Sequence, residues 1–210
     1  DEPGGSSPSY NQTLTRRDAA GWVGGRLKQW KDIQEGPPSP TLDVMDRSKA
    51  PPDIEPVRSV WVNNAKMDSD GNVTELKSRI CGNGASQCAG KHYDPRYISA
   101  IPVRFSSVLM CFAIAAQLGL DATQVDFSAA YVNATMKEDL WMYCPEGIPG
   151  VPHIGTDRKR RVCKVLRSLF GFKQSGAAWT ELLDNTMRAI GNLPPVDKSF
   201  SPDHVPPDGI

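Results

Sequence analysis

Asp126 is the residue in this chain best placed to do chemistry. It sits in Gln124-Val125-Asp126-Phe127-Ser128-Ala129-Ala130-Tyr131-Val132-Asn133, where Val125 and Phe127 alternate with Gln124 and Asp126. That alternation predicts a short strand with the two apolar side chains on its core face. The Asp126 carboxylate then points away from the core, near the strand's C-terminal end. Small residues follow and allow a tight turn, and an aromatic, Tyr131, arrives five positions later. A carboxylate at a strand end beside such a turn suits a hard cation such as Mg2+, which takes oxygen ligands. The same carboxylate also fits a plainer role, capping the next helical turn.

A second group of candidates is cationic. Residues 158–173 carry Arg158, Lys159, Arg160, Arg161, Lys164, Arg167 and Lys173. Such a run is ordinarily a solvated face, and beside a nucleic-acid cleft it is a phosphate track. Over the whole chain 24 Lys+Arg balance 24 Asp+Glu, so no global field steers a polyanion and any attraction is local. No Ser or Cys nucleophile motif is present, and the three histidines show no ligand spacing. Cys81, Cys88 and His92 match no common zinc pattern. The five cysteines are odd in number and scattered, without a CxxC pair, signal peptide or long apolar run. Reduced thiols in an intracellular setting, cytoplasmic or nuclear and away from membranes, are expected.

The elements that must position these residues follow from periodicity and punctuation. Residues 1–12 are Gly, Ser and Pro with polar fillers and are expected to be disordered. Trp22, Arg26, Trp30 and Ile33 recur at helical spacing within 15–33, although Gly21, Gly24 and Gly25 oppose a helix. The Pro-rich stretch 36–56 reads as an extended connection. Residues 57–80 predict a hairpin about Asp70-Gly71. Residues 103–118 predict a helix, with Pro102 before it and Gly119 after it. Its stripe of Phe105, Val108/Leu109, Phe112 and Ala115/Ala116 is expected in the core. Residues 122–127 and 140–144 predict strands. Residues 177–190 predict a helix burying Trp179, Leu182/Leu183, Thr186/Met187 and Ile190.

Five blocks fall in an order that resembles the reverse transcriptase domain of copia-type LTR retrotransposons. They are VWVNNAKMDSDGNVTELKSR (60–79), HYDPRYISAIPVRFSSVLMCFAIAAQLGL (92–120), QVDFSAAYVNA (124–134), LWMYCPEGI (140–148) and VCKVLRSLFGFKQSGAAW (162–179). The resemblance runs from about Leu14 to Phe200. It implies an α+β chain, an incomplete right-hand polymerase fold of fingers plus part of the palm. An antiparallel sheet with packed helices would span 13–200, with a disordered start and a disordered Pro-rich tail at 201–210. It further implies Asp126 as catalytic residue and metal ligand. Lys66, Lys77 and Arg79 would reach the triphosphate of the incoming nucleotide, and Tyr131 would sit under its sugar. Phe170, Gly171, Lys173 and Gln174 would form the loop against nucleotide and template, and Arg158, Lys159, Arg160 and Arg161 would contact nucleic acid. The cofactor would be Mg2+ or Mn2+, and the partners an RNA/DNA primer–template and a dNTP.

The sequence departs from the family pattern in three places. Ile80-Cys81-Gly82-Asn83-Gly84 stands where the family reads Leu-Val-Ala-Lys-Gly, which removes a lysine. Gly176 stands where the family has proline. The chain also holds no aromatic-Val-Asp-Asp box, the family's source of two further carboxylates. The expectation is a retrotransposon reverse transcriptase fragment that is inactive alone. The alternative is a decayed or domesticated module binding nucleic acid or protein without catalysis.

Overall fold

A computed structural model describes residues 7–36, 40–98 and 103–191. Its first helix starts from a reciprocal cap. The Gln12 N–H donates to the Ser9 hydroxyl (3.4 Å) and the Ser9 N–H to the Gln12 side chain (2.8 Å), opening α1 (Tyr10–Thr15). Residues 10–12, expected to be disordered from composition, are therefore helical. Residues 1–6 and the tail expected at 201–210 lie outside the described residues.

Helix α2 (Ala19–Glu35) follows, with the anticipated stripe: Trp22, Arg26 and Ile33 are buried and Trp30 is half-buried. Its glycines give up helix propensity for close approach. A Cβ on Gly25 would stand 2.7 Å from the Leu76 carbonyl oxygen, and one on Gly21 would stand 2.6 Å from the Leu76 side chain. Arg26 is 1% exposed; its Nε donates to Gly147 O (3.0 Å) and its Nη1 to Thr13 Oγ1 (3.0 Å). Its guanidinium lies 5.3 Å from the Tyr10 ring centroid. Burial lowers its pKa, yet arginine's ordinary value lies so high that it stays charged at neutral pH. Arg26→Ala is expected to cost roughly 2–4 kcal/mol in urea unfolding, because it leaves a cavity and two orphaned acceptors. A loss under about 0.5 kcal/mol would mean water replaces the guanidinium without penalty.

The Pro-rich stretch conceals a strand, β1 (Leu42–Met45). Its first residue is held on the outer edge by α2: Gln34 Nε2 donates to Leu42 O (2.9 Å) and the Leu42 N–H to Gln34 Oε1 (3.0 Å). Strands β2 (Ser59–Met67) and β3 (Val73–Gly82) form the expected hairpin, in register from Ser59↔Gly82 to Met67↔Val73. Gly71 in the turn takes φ +83°, a left-handed conformation that glycine adopts without strain. Trp61, Asn63, Ser78 and Ile80 are the buried side of this hairpin. Alternation puts Val60, Val62, Lys66, Lys77 and Arg79 together on its other face.

Helix α3 (Phe105–Leu118) forms where periodicity placed it and ends on Gly119 at φ +63°. Its burial does not follow expectation. None of its side chains is buried, and Phe105 and Leu118 are 74% and 65% exposed. The stripe assigned to the core is thus a surface, because no described element packs over this uncharged helix. Pro102 lies outside the described residues. The strand expected at 122–127 is also absent: residues 121–127 are exposed and unassigned to any strand. Alternation favours a strand only where a neighbour completes its ladder, and no described segment pairs there.

Helix α4 (Ala130–Asn133) is entered through Ala129 at φ +53°. Strands β4 (Trp141–Tyr143) and β5 (Val162–Val165) join β1 in an antiparallel sheet of order β1-β5-β4. The far edge of β4 is taken by Val57, whose N–H donates to Trp141 O (2.8 Å) and whose O accepts from Tyr143 (2.9 Å). The core gathers Leu42, Val57, Leu140, Met142, Val165, Leu169 and Phe172 beneath the two sheets. Helix α5 (Ser175–Gly191) half-buries Trp179, Leu182 and Leu183, whereas Met187 and Ile190, expected in the core, are exposed. The chain is α+β with antiparallel sheets. Among the described residues no helix is long and apolar enough to cross a membrane.

Candidate nucleotide site

Three separate segments meet at the open face of the β2–β3 hairpin. Arg79 on β3 lies with its guanidinium 5.9 Å from the Phe170 ring centroid. Phe170 in turn meets Tyr131 of α4 edge-to-face, with centroids 4.7 Å apart at 78°. The result is a row of cation, ring and ring assembled from positions 79, 170 and 131. Lys77 shares the Arg79 face two residues along. Lys66, farther toward the turn, is paired with Glu75 at 2.6 Å, and that hydrogen bond holds the Glu75 carboxyl below its ordinary range.

The loop carrying Phe170 is placed by the end of β3. The Gly82 N–H donates to Phe170 O (2.8 Å). Gly171 sits at φ +88°, and a Cβ there would collide with the Gly82 carbonyl oxygen. The Phe172 ring fills the space that a Cβ on Gly82 would need. Beyond these contacts the loop turns inward. The Lys173 ammonium leaves the row for Tyr93, 3.1 Å from its hydroxyl and 4.7 Å from its ring centroid. Gln174 is 2% exposed, and its amide faces Gln87, His92 and Met136 inside the protein. Sequence reasoning found the loop and missed Gln87 and His92, whose contacts depend on pairing across more than 80 positions.

Asp126 stands apart from this row by its environment: it is exposed, on the unpaired 121–127 segment. Its neighbour Phe127 anchors that segment on α5, edge-to-face with Trp179 at 5.4 Å. Among the described residues no group of three His, Cys, Asp or Glu could hold a metal ion. A centre for two divalent ions about 3.5–4 Å apart needs several carboxylates. One exposed carboxylate does not fit that demand. His92 is not a ligand either: Nδ1 accepts from the Cys88 N–H (2.8 Å), which leaves Nε2 to donate to Glu55 O (2.9 Å). All five cysteines are free.

The basic run is mostly spent on structure. Arg160 pairs with Glu146 (3.0 Å) and lies 5.0 Å from the Tyr143 ring centroid, while Arg161 pairs with Asp46 (3.1 Å). A hydrogen bond from Thr156, with the charge of Arg161, holds the Asp46 carboxyl below its ordinary range. Arg158, at φ +59°, and Lys159 are exposed at the turn. This turn precedes β5 and the Phe170 loop follows it, so about 13 Å of strand separates them.

The family model described as reverse transcriptase (RNA-dependent DNA polymerase) matches residues 42–195, a stretch that includes every residue of the row. The chain belongs to that family. Its relatives place it in the copia-type branch. This reverse transcriptase domain is 29% identical over 134 residues to the retrovirus-related Pol polyprotein from transposon TNT 1-94 of Nicotiana tabacum, covering 64% of the chain and 10% of that protein. It is 29% identical over 131 residues to the Pol polyprotein from transposon RE1 of Arabidopsis thaliana, covering 62% and 8%. With the transposon Ty1-ER2 Gag-Pol polyprotein of Saccharomyces cerevisiae it shares 31% over 134 residues, covering 62% and 7%. The domain thus spans about a tenth or less of the length of these relatives. No solved structure matches it.

Proposed function

We propose that this reverse transcriptase domain is the fingers and part of the palm of a right-hand polymerase, and that it holds a deoxynucleoside triphosphate without transferring it. The observation that carries this reading is the Arg79–Phe170–Tyr131 row beside Lys77. A polyphosphate needs fixed cations, which Lys77 and Arg79 supply on one rigid strand. A ring held against C2′ of the sugar, the role given to Tyr131, leaves no room for a further hydroxyl. Template-directed DNA synthesis on an RNA primer–template, with Asp126 as a metal ligand, is the chemistry of the lineage. In this arrangement Arg158 and Lys159 serve the nucleic-acid backbone, and Lys173 and Gln174 support the loop.

Filter binding tests the reading. Affinity for dNTP and for a primer–template is expected to fall with salt, log K dropping roughly 0.9 per phosphate contact on a duplex for each tenfold rise in salt. Salt-independent or undetectable binding of both would overturn it. Glu75→Gln frees Lys66 and removes a negative charge from the face, so dNTP affinity is expected to rise by about two- to fivefold. Unchanged affinity would remove Lys66 from the site. Tyr131→Ala is expected to erase any preference for dNTP over the ribonucleotide, and a preserved preference would assign Tyr131 to packing alone.

A further inference from the structure

We infer that Gln87 and His92 are positioning residues for the nucleotide loop, acting through an inward-facing Gln174. The proposal rests on the nucleotide reading above and deepens it. Two buried side chains, Gln87 and Gln174, form one directed chain of hydrogen bonds between two backbone groups. The Lys173 N–H donates to Gln87 Oε1 (2.9 Å), Gln87 Nε2 to Gln174 Oε1 (3.0 Å), and Gln174 Nε2 to His92 O (3.0 Å). The His92 ring fixes the last acceptor by taking the Cys88 N–H on Nδ1 and donating from Nε2 to Glu55 O. Gln87, His92 and Gln174 are each at most 7% exposed, so an unmade bond here carries its full desolvation cost.

Each amide has one orientation that works. Gln87 must present oxygen to Lys173 and nitrogen to Gln174, which sets Gln174 to present nitrogen to His92. The backbone at 173 is thereby tied to segments 87–92 and 55. Phe170, three residues before Lys173, inherits its placement from this tie and from the Gly82 N–H bond to Phe170 O. Arg79 and Tyr131 meet nothing of the loop but Phe170 among the ring contacts described. A loop that slips at 173 therefore breaks the row at its middle member.

The test uses the full chain. Gln174→Glu keeps the shape but turns an oxygen toward His92 O, and Gln87→Glu turns one toward Gln174 Oε1 while keeping the Lys173 bond. Hydrogen exchange is expected to speed up by about tenfold in residues 168–175 and to stay unchanged in the β2–β3 hairpin, the size of one lost buried bond. Unchanged loop exchange, or equal loss in the hairpin, would overturn the inference. Should Gln174→Glu fail to fold, Gln87→Glu decides by the same measure. Titration with dATP supplies the readout a packing role would not move. Gln87→Glu is expected to weaken binding about tenfold alone and not further in a Phe170→Leu background. Additive losses would refute action through Phe170. If the unaltered chain binds no dATP, the proposed function fails while loop exchange still decides the network.

Discussion

Primer extension by the 210-residue chain is expected to give no product, with Mg2+ or with Mn2+. The reason is electrostatic. Asp126 is the single carboxylate proposed for the site, it stands exposed on an unpaired segment, and among the described residues no group of three His, Cys, Asp or Glu gathers to hold a metal ion. Two divalent ions bring about four positive charges, which one carboxylate cannot offset. Losing one well-placed transition-state stabiliser costs on the order of 10²–10³ in rate, and two carboxylates of the lineage's set are not in this chain. Extending the chain with the downstream segment of a copia-type relative is expected to restore extension. Asp126→Asn in that extended form should abolish it again. Product from the unextended chain would sink the argument, as would an extended form indifferent to Asp126→Asn.

The second large effect is expected at Gly82. A Cβ there would stand 2.1 Å from the Phe172 ring, which is 5% exposed and has little room to move. Gly82→Ala should therefore cost roughly 1–3 kcal/mol in urea unfolding, the usual penalty for overpacking. Phe172→Leu alone should cost a similar amount by leaving a void. Combined, the two should cost less than either, because the smaller leucine vacates the space the new methyl enters. Simple additivity would show that the loop relaxes away from β3 instead.

What was legible in the sequence depended on whether its signal was local. The hairpin was readable because alternation and Asp70-Gly71 lie within two dozen residues, whereas the placing of Lys66, Lys77 and Arg79 on one face followed only from the register of the two strands. The α2 stripe was readable down to Arg26, although the guanidinium's acceptors at Thr13 and Gly147 were not. Helix α3 shows the limit: periodicity fixes a helix, but burial needs a partner, and Phe105 or Leu118 cannot report whether one is there. Alternation at 122–127 failed for the same reason. Strand β5 was masked by the charges before it, whose ion-pair partners Glu146 and, far off in sequence, Asp46 no local pattern reveals. The Phe170 loop was recognised by its motif, whereas the inward turn of Gln174 followed only from three-dimensional contacts.

The side chain of Gln34 on the rim of β1 bears on how this protein will behave in the test tube. One amide occupies the N–H and C=O that an incoming strand would seize first, and Val57 does the same service at the opposite rim. Ribbon-like stacking of copies through this sheet is thereby obstructed. Clumping will instead be driven by the greasy, uncharged surface of α3. Precipitates should accordingly be amorphous, silent toward fibril-binding dyes, and dispersed by mild non-ionic detergent. Gln34→Ala should be the change that lets fibrous material appear.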